Sequence, residues 1–299
     1  MSTSPNMIIL GASSLIAPWL MKRLCQIGLS GQCYSRKQIC FDPTDAFTWK
    51  ELDISLPMDF CPKSIVISLL PLWLLPPLLS QLQGCQHLIA FSTTSIFSKS
   101  DSPNPEERQL IQRIKAAEKT IIQASTFKEI PWTILRPTLI YDGQYDQNVT
   151  AIAKFIHRWH ILPLASPANG LRQPVHADDI ASAVVATIKN PSSYNRSFNL
   201  GGGEILTYRQ MVQRISQAME KPSRIIPLPL KTILAICWVL QRVTTDGPNA
   251  AMFIRMNQDL VYDFTNARQA LSYTPRPFQP DFHIHSKKSK NSPTHRLIH

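Results

Sequence analysis

Met7–Ala17 reads M-I-I-L-G-A-S-S-L-I-A, a short apolar run that meets one glycine and passes into small residues. Pro18–Ile27 follows with Trp19, Leu20, Leu24 and Ile27 at helical spacing. A strand that ends in glycine and runs into a helix aims backbone N–H groups and the helix dipole at an anion, typically a pyrophosphate. Of the three-glycine pattern for such turns, only Gly11 is present; Ser14 and Ala17 stand at the other two places. Alanine serves where helix and strand pack closely, whereas the Cβ of Ser14 crowds a phosphate. The turn alone leaves dinucleotide binding and a plain strand–helix corner equally open.

Outward from this turn, strands and helices alternate. Gln32–Ser35, Glu51–Ile54, Ile65–Leu70, Leu88–Phe91 and Trp132–Leu135 read as further strands. A Pro-initiated apolar helix is expected after Leu70, a polar loop over Asp101–Glu107 and a helix over Gln109–Ala124. This alternation predicts an α/β chain with a Rossmann-type, doubly wound parallel sheet. The second half changes character: helices at Val149–Trp159 and Asp178–Ile188, a strand at Ser197–Leu200 running into Gly201–Gly203, and a helix N-capped by Thr207. Apolar helices are expected at Leu230–Leu240 and near Ala250–Gln258. The division expected is a nucleotide-binding domain over 1–145, its sheet completed from within 171–200, and an interleaved, smaller α+β substrate lobe over 146–280. A basic, disordered tail is expected over 281–299.

Composition bounds the function. The chain has 299 residues, 44% of them hydrophobic and 17% charged, which excludes a disordered chain. Its net charge of +11 is dispersed, apart from four basic residues against one acid in the tail. Nucleic-acid binding needs a clustered positive face, so none is expected. The six cysteines form no C-x-x-C pair and no metal-ligand spacing, as befits reduced thiols, and no metal is expected. Residues 64–98 lack Asp, Glu, Lys and Arg and are long enough to span a bilayer, but Pro71, Pro76 and Pro77 interrupt them. Buried parallel strands read just as apolar, so a soluble core is favoured, and the N-terminus lacks a secretion signal, so a cytoplasmic location is expected. Peripheral membrane contact through Leu230–Leu240 and a homodimer stay open.

Three segments occur in order: Thr133–Gly143 (T-I-L-R-P-T-L-I-Y-D-G), Arg172–Ala181 (R-Q-P-V-H-A-D-D-I-A) and Phe198–Tyr208 (F-N-L-G-G-G-E-I-L-T-Y). Together they resemble the NAD(P)-dependent epimerase/dehydratase family, the extended or atypical short-chain dehydrogenase/reductases. Arg255–Asp263 (R-M-N-Q-D-L-V-Y-D) resembles a bacterial, sugar-nucleotide-epimerase-like branch of it. The resemblance runs from about Met7 to Pro280 and implies a Rossmann domain with a C-terminal substrate lobe.

It also implies site residues. Gly11, Ser13, Ser14, Leu15 and Ile16 would surround the pyrophosphate; Asp53 would lie on the adenine side; Leu69, Leu70 and Pro71 would lie at the ribose; Pro137 would stand beside the nicotinamide. After the second strand comes Ser35-Arg36-Lys37, where an NAD-preferring site places an acid on the ribose hydroxyls. A hydroxyl and two cations suit a 2′-phosphate, so NADP(H) is favoured over NAD(H). Thr93 matches the family's catalytic hydroxyl, but Leu110 and Ile114 occupy the places of its Tyr and Lys, so the usual proton donor is missing. Lys115, His176 and Tyr141 are substitutes to consider, with a carboxylate neighbour raising the pKa of His176. Tyr141, Arg172 and His176 would face the substrate, with Arg172 reaching a substrate phosphate, and the glycines at 201–203 would be a structural loop between lobes. Two readings follow. One is an NADP(H)-dependent oxidoreductase or epimerase acting on a sugar-nucleotide-like or other carbonyl/hydroxyl small molecule. The other is a non-catalytic dinucleotide-binding scaffold or redox sensor of the same fold.

Overall fold

The computed structural model describes residues 6–37, 46–55, 63–82, 84–219, 224–243 and 250–282. The tail expected over 281–299 lies outside these from residue 283 onward, as do Cys40 and Cys61. The N-terminal elements are β1 (Met7–Leu10), α1 (Ala17–Gln26), β2 (Gly31–Ser35), β3 (Phe47–Glu51), β4 (Ile65–Ser68), β5 (His87–Phe91), α2 (Ser95–Ser98), α3 (Pro105–Phe127) and β6 (Trp132–Pro137). Then come β7 (Ile140–Tyr141), α4 (Val149–Trp159), β8 (Ile161–Ser166), β9 (Leu171–Arg172), β10 (Val175–His176), α5 (Ala177–Thr187) and β11 (Arg196–Leu200). The chain continues with β12 (Leu206–Thr207), α6 (Tyr208–Ala218), β13 (Arg224–Pro229), α7 (Leu230–Val243), α8 (Ala250–Arg255) and α9 (Thr265–Leu271).

Seven strands form one parallel sheet in the order β11-β6-β5-β4-β1-β2-β3. The α/β class and the doubly wound parallel sheet are therefore observed. Every residue of β1 and β4 is buried, because alternate side chains enter two separate cores. Met7 and Ile9 pack toward Leu20 and Leu24 of α1, Ile180 and Val184 of α5 and Leu271 of α9. Ile8 and Leu10 pack toward Ile111, Ile114 and Ile121 of α3. A third core beneath the C-terminal lobe gathers Val149 and Ile156 of α4, Met211 and Ile215 of α6, and Phe253 of α8.

Within the charge-free run of 64–98, two 3-10 turns (Leu72–Leu74 and Pro76–Gln81) stand between β4 and β5 in place of the helix expected after Leu70. Pro76 and Pro77 lack the N–H that an α-helix needs, so only tight i→i+3 turns form. Among the described residues no helix is long and apolar enough to cross a membrane.

Boundaries differ elsewhere. The third strand is Phe47–Glu51 rather than Glu51–Ile54, because Gly31 to Ser35 of β2 pair with 47–51 and Phe47 and Trp49 turn into the core. The expected polar loop over Asp101–Glu107 is shortened, since α3 starts at Pro105 with the Asn104 side chain capping the Glu106 N–H. Thr207 caps α6 in a reciprocal capping box with Gln210. Helix α9 and the parallel pair β8–β13 have no counterpart in the expected elements.

Candidate functional site

The order of the sheet reverses at β1, which is flanked by β2 and β4. A crevice opens there beyond the carboxyl ends of the strands, the usual ligand position of this architecture. Gly11 forms its floor with φ +79°. A Cβ at Gly11 would lie 2.9 Å from the Leu70 nitrogen, so any side chain collides with the chain leaving β4. The N–H groups of Gly11 and Ala12 both donate to the Tyr34 carbonyl at 2.9 Å, fixing the turn against β2. Ser14 closes the turn by donating its N–H to Gly11 O, and its hydroxyl accepts the Ile16 N–H. No side chain caps α1. Ala17 is fully buried, the close helix–strand contact its position requires.

A cavity of about 840 Å³ fills this crevice. Gly11, Ser13, Ser14 and Ile16 line it from the turn, Ser35 and Arg36 from the end of β2, and Asp53 from beyond β3. Leu69, Leu70 and Pro71 contribute from the end of β4, with Thr93, Ile114 and Pro137 closing the inner end. Arg36 is exposed at the rim, and Asp53 lines the same cavity. The Ser35 hydroxyl is engaged, donating to Lys37 O and accepting from Trp49 Nε1. Asp53 accepts both the hydroxyl and the N–H of Ser55, which holds its carboxyl below the usual range. Lys37 lines neither this cavity nor the next, and Leu15 faces the next one.

A second cavity of about 630 Å³ lies between the sheet and the C-terminal lobe, and Thr93 and Ile140 line both. Thr93 Oγ1 accepts the Ser95 N–H at 3.1 Å, which leaves its own proton to donate. The far wall comes from α4, α6 and α8, with Arg172, Tyr208, Arg255 and Tyr262 among its polar members. Arg172 is buried; its guanidinium donates to the Leu171, Gln258 and Arg255 carbonyls and covers the Tyr208 ring. Burial pushes its pKa down to about 10.

The remaining expected residues lie apart from both cavities. Tyr141 is 1% exposed, packs edge-on against His176 and Phe278, and accepts the Gln279 N–H at its hydroxyl. His176 sits between Trp19 and Tyr141, and its Nδ1 accepts the Asp178 N–H as the cap of α5. Its pKa is lowered, chiefly by burial and then by Arg276, and not raised as the neighbouring acids imply. Those acids are already bound: Asp178 by Arg23 and Arg276, Asp179 by Arg276. Lys115 points away and donates to Ser100 Oγ. Leu110 is exposed on α3. The glycines at 201–203 face protein rather than a ligand: Gly203 donates to Arg276 O, and Cβ atoms at 201 and 202 would strike Gln173 and Pro174.

Arg255 was missed as a wall residue although it opens a segment singled out in the sequence. Its role needs Glu107, 148 positions away, and no local pattern marks that pairing.

No family model matches the chain. Among curated proteins it is 21% identical to a Vibrio cholerae UDP-glucose 4-epimerase over 179 residues, 60% of this chain and 52% of that protein. It is 26% identical over 130 residues to a Burkholderia thailandensis dTDP-L-rhamnose 4-epimerase, 41% of this chain and 36% of that one. The chain thus spans about half the length, or less, of the curated relatives it matches. Among solved structures, an epimerase from Methanothermobacter thermautotrophicus superposes with a TM-score of 0.71 at 13% identity, covering 93% of this chain and 90% of that one. UDP-glucuronic acid 4-epimerase from Bacillus cereus, in complex with NAD, gives a TM-score of 0.69 at 14% identity, covering 92% and 95%. Its sequence and structural neighbours are NAD-dependent epimerase/dehydratase family proteins. At these identities the solved structures establish the fold alone.

Proposed function

We propose that this chain binds a nicotinamide dinucleotide in the 840 Å³ crevice and presents a carbonyl- or hydroxyl-bearing small molecule to it from the adjoining cavity. The observation that carries this reading is the position of Thr93, among the described residues the one hydroxyl-bearing side chain lining both cavities, with a proton to donate. Gly11 provides the close backbone approach a pyrophosphate needs, and the crevice is large enough for the cofactor. Arg36 at the end of β2, in a Ser35-Arg36-Lys37 stretch that carries no acid, supports NADP(H) over NAD(H). When bound, the dinucleotide supplies hydride exchange at its nicotinamide. This chain's own residues then hold the substrate oxygen at Thr93 and shield it behind Ile114, Ile140 and Pro137.

The place of the family's Tyr and Lys is apolar, with Leu110 turned outward and Ile114 in the cavity wall. That observation favours a second reading, a dinucleotide-binding scaffold or redox sensor without turnover. The names of the relatives make sugar nucleotides the first substrates to assay.

Titration of NADPH and NADH by tryptophan fluorescence tests the cofactor. Tighter NADPH binding that Arg36→Ala abolishes supports the reading; no binding of either at micromolar concentration overturns it. Turnover that Thr93→Ala lowers while NADPH affinity is unchanged selects the enzyme. Dinucleotide binding with no exchange on any carbonyl or alcohol selects the scaffold.

A further inference from the structure

Helix α7 is apolar on both of its sides. Ile233 and Cys237, one turn apart, enter the third core, while Ala235, Ile236, Trp238 and Val239 are exposed on the other side. Trp238 is 56% exposed. A helix that is apolar all round is normally covered all round, so this outer side calls for a cover. The apolar surface continues beyond α7. Helix α8 packs against it and exposes Met252, which shares the lining of the second cavity with the exposed Phe155 of α4. The Phe155 ring lies 6.5 Å from that of Trp159, itself 55% exposed, and the exposed Ile161 opens β8 two residues later. Ile161 and Arg224 stand side by side in the β8–β13 pair, and Ile226 follows on the same face.

The charge of these elements has one sign. Lys154 and Arg158 on α4, Arg224 on β13 and Lys231 on α7 are exposed cations. The five elements α4, β8, β13, α7 and α8 contain no Asp or Glu, although the chain has 20. The Arg158 guanidinium covers the Trp159 ring at 5.2 Å. An aromatic ring with a cation beside it suits a bilayer interface, where the ring sits at headgroup level and the charge meets lipid phosphate. A second copy of the chain suits this face less well. Two-fold pairing would set the cations against their own copies, with no acid in the five elements to answer them.

We propose that this face docks on an anionic membrane surface. Trp159, Ile161, Ile226, Trp238 and Val239 enter the headgroup boundary, and Lys154, Arg158, Arg224 and Lys231 draw the face to acidic lipids. The contact is peripheral, and it stands independently of the dinucleotide reading.

Co-sedimentation of the full chain with phosphatidylcholine vesicles containing about 30 mol% phosphatidylglycerol tests the proposal. The expected result is saturable binding, much weaker on pure phosphatidylcholine and reduced in about 0.5 M salt. Ile236 and Val239 are exposed, so Ile236→Asp combined with Val239→Asp should leave the melting temperature unchanged. That double variant is expected to weaken vesicle binding about tenfold or more. Arg158→Glu combined with Arg224→Glu should have an effect of the same size through charge alone. Residues 283–299 are basic as well, so binding that ignores both double variants belongs to another part of the chain and overturns the proposal. Equal binding to pure phosphatidylcholine, or binding to neither vesicle, also overturns it. So does a dimer, seen by light scattering, that Ile236→Asp with Val239→Asp converts to monomer, because a second copy would then be the cover.

Discussion

Arg255 on α8 grips Glu107 on α3 with two hydrogen bonds of 2.6 and 2.9 Å, and both side chains are only 14% exposed. The pair joins α8 to a helix packed on the seven-stranded sheet, at the edge of the second cavity. Ser102 Oγ and Lys99 complete the shell of Glu107.

Arg255→Ala is expected to cost about 3 kcal/mol of unfolding free energy, toward the lower end for a broken buried pair because Lys99 and Ser102 remain. Urea unfolding at pH 7 measures it. Burial opposes ionisation of Glu107, but the bonds from Ser102 and Arg255 and the charges of Lys99 and Arg255 outweigh it and hold its carboxyl below the ordinary 4.5. Its stabilisation is therefore complete above that value and disappears as pH falls through the lowered one. Glu107→Gln should flatten the wild-type loss below pH 4.5.

Two histidines should govern stability at higher pH. His87 is buried and its pKa is pushed down to about 4; burial also lowers that of His176. His87 stays neutral in the fold down to about pH 4 and His176 takes up its proton less readily than when unfolded, whereas the unfolded chain takes up protons below about 6.5. Unfolding free energy should fall as pH drops from 6.5 toward 4, with His87 contributing on the order of 3 kcal/mol across that interval. Thr133 donates its hydroxyl proton to Ser193 O, so the network assigns the His87 proton to Nε2, facing Thr133. Denaturation of His87→Phe should show a shallower profile over this range; an unchanged slope would contradict the assignment.

Gly11→Ala forces an L-residue to φ +79° and drives a methyl group against the Leu70 nitrogen. The strain should cost about 1–3 kcal/mol and displace the Leu69–Pro71 wall. A lower melting temperature together with lost NADPH binding is the expected outcome, measured by thermal scanning and fluorescence titration.

Arg36→Ala should weaken NADPH binding by roughly ten- to a hundredfold, the loss of one charge-assisted contact of about 1.5–3 kcal/mol, and leave NADH unaffected. Raising ionic strength should reproduce part of that effect, since Arg36 is exposed.

His176→Asn keeps an acceptor for the Asp178 N–H at the head of α5, whereas His176→Ala removes it. The alanine variant should lose about 1 kcal/mol and the asparagine variant much less, by chemical denaturation.

The parallel sheet was legible because Met7–Leu10, Ile65–Ser68 and His87–Phe91 are buried on both faces and so read as unbroken apolar runs. Gly11 was legible because φ +79° leaves few alternatives to glycine. The edge strand Phe47–Glu51 was misplaced because it is half-buried, and only pairing with β2 fixes its register. Sequence adjacency to Asp178 and Asp179 suggested a charged His176, but Arg23 and Arg276 claim those carboxylates from positions far along the chain.

The single surviving glycine of the first turn, the basic Ser35-Arg36-Lys37 end of β2 and the leucine and isoleucine at 110 and 114 are written in the sequence. They are local, since a turn, a strand end and a helix face each depend on neighbouring residues. The meeting of two cavities at Thr93, and the engagement of Arg172 and Arg255 by carbonyls and by Glu107, exist only in the folded chain. Whether a cation is available to a ligand depends on what else its donors reach, and those partners come from segments 80 to 150 residues apart in the order of the chain.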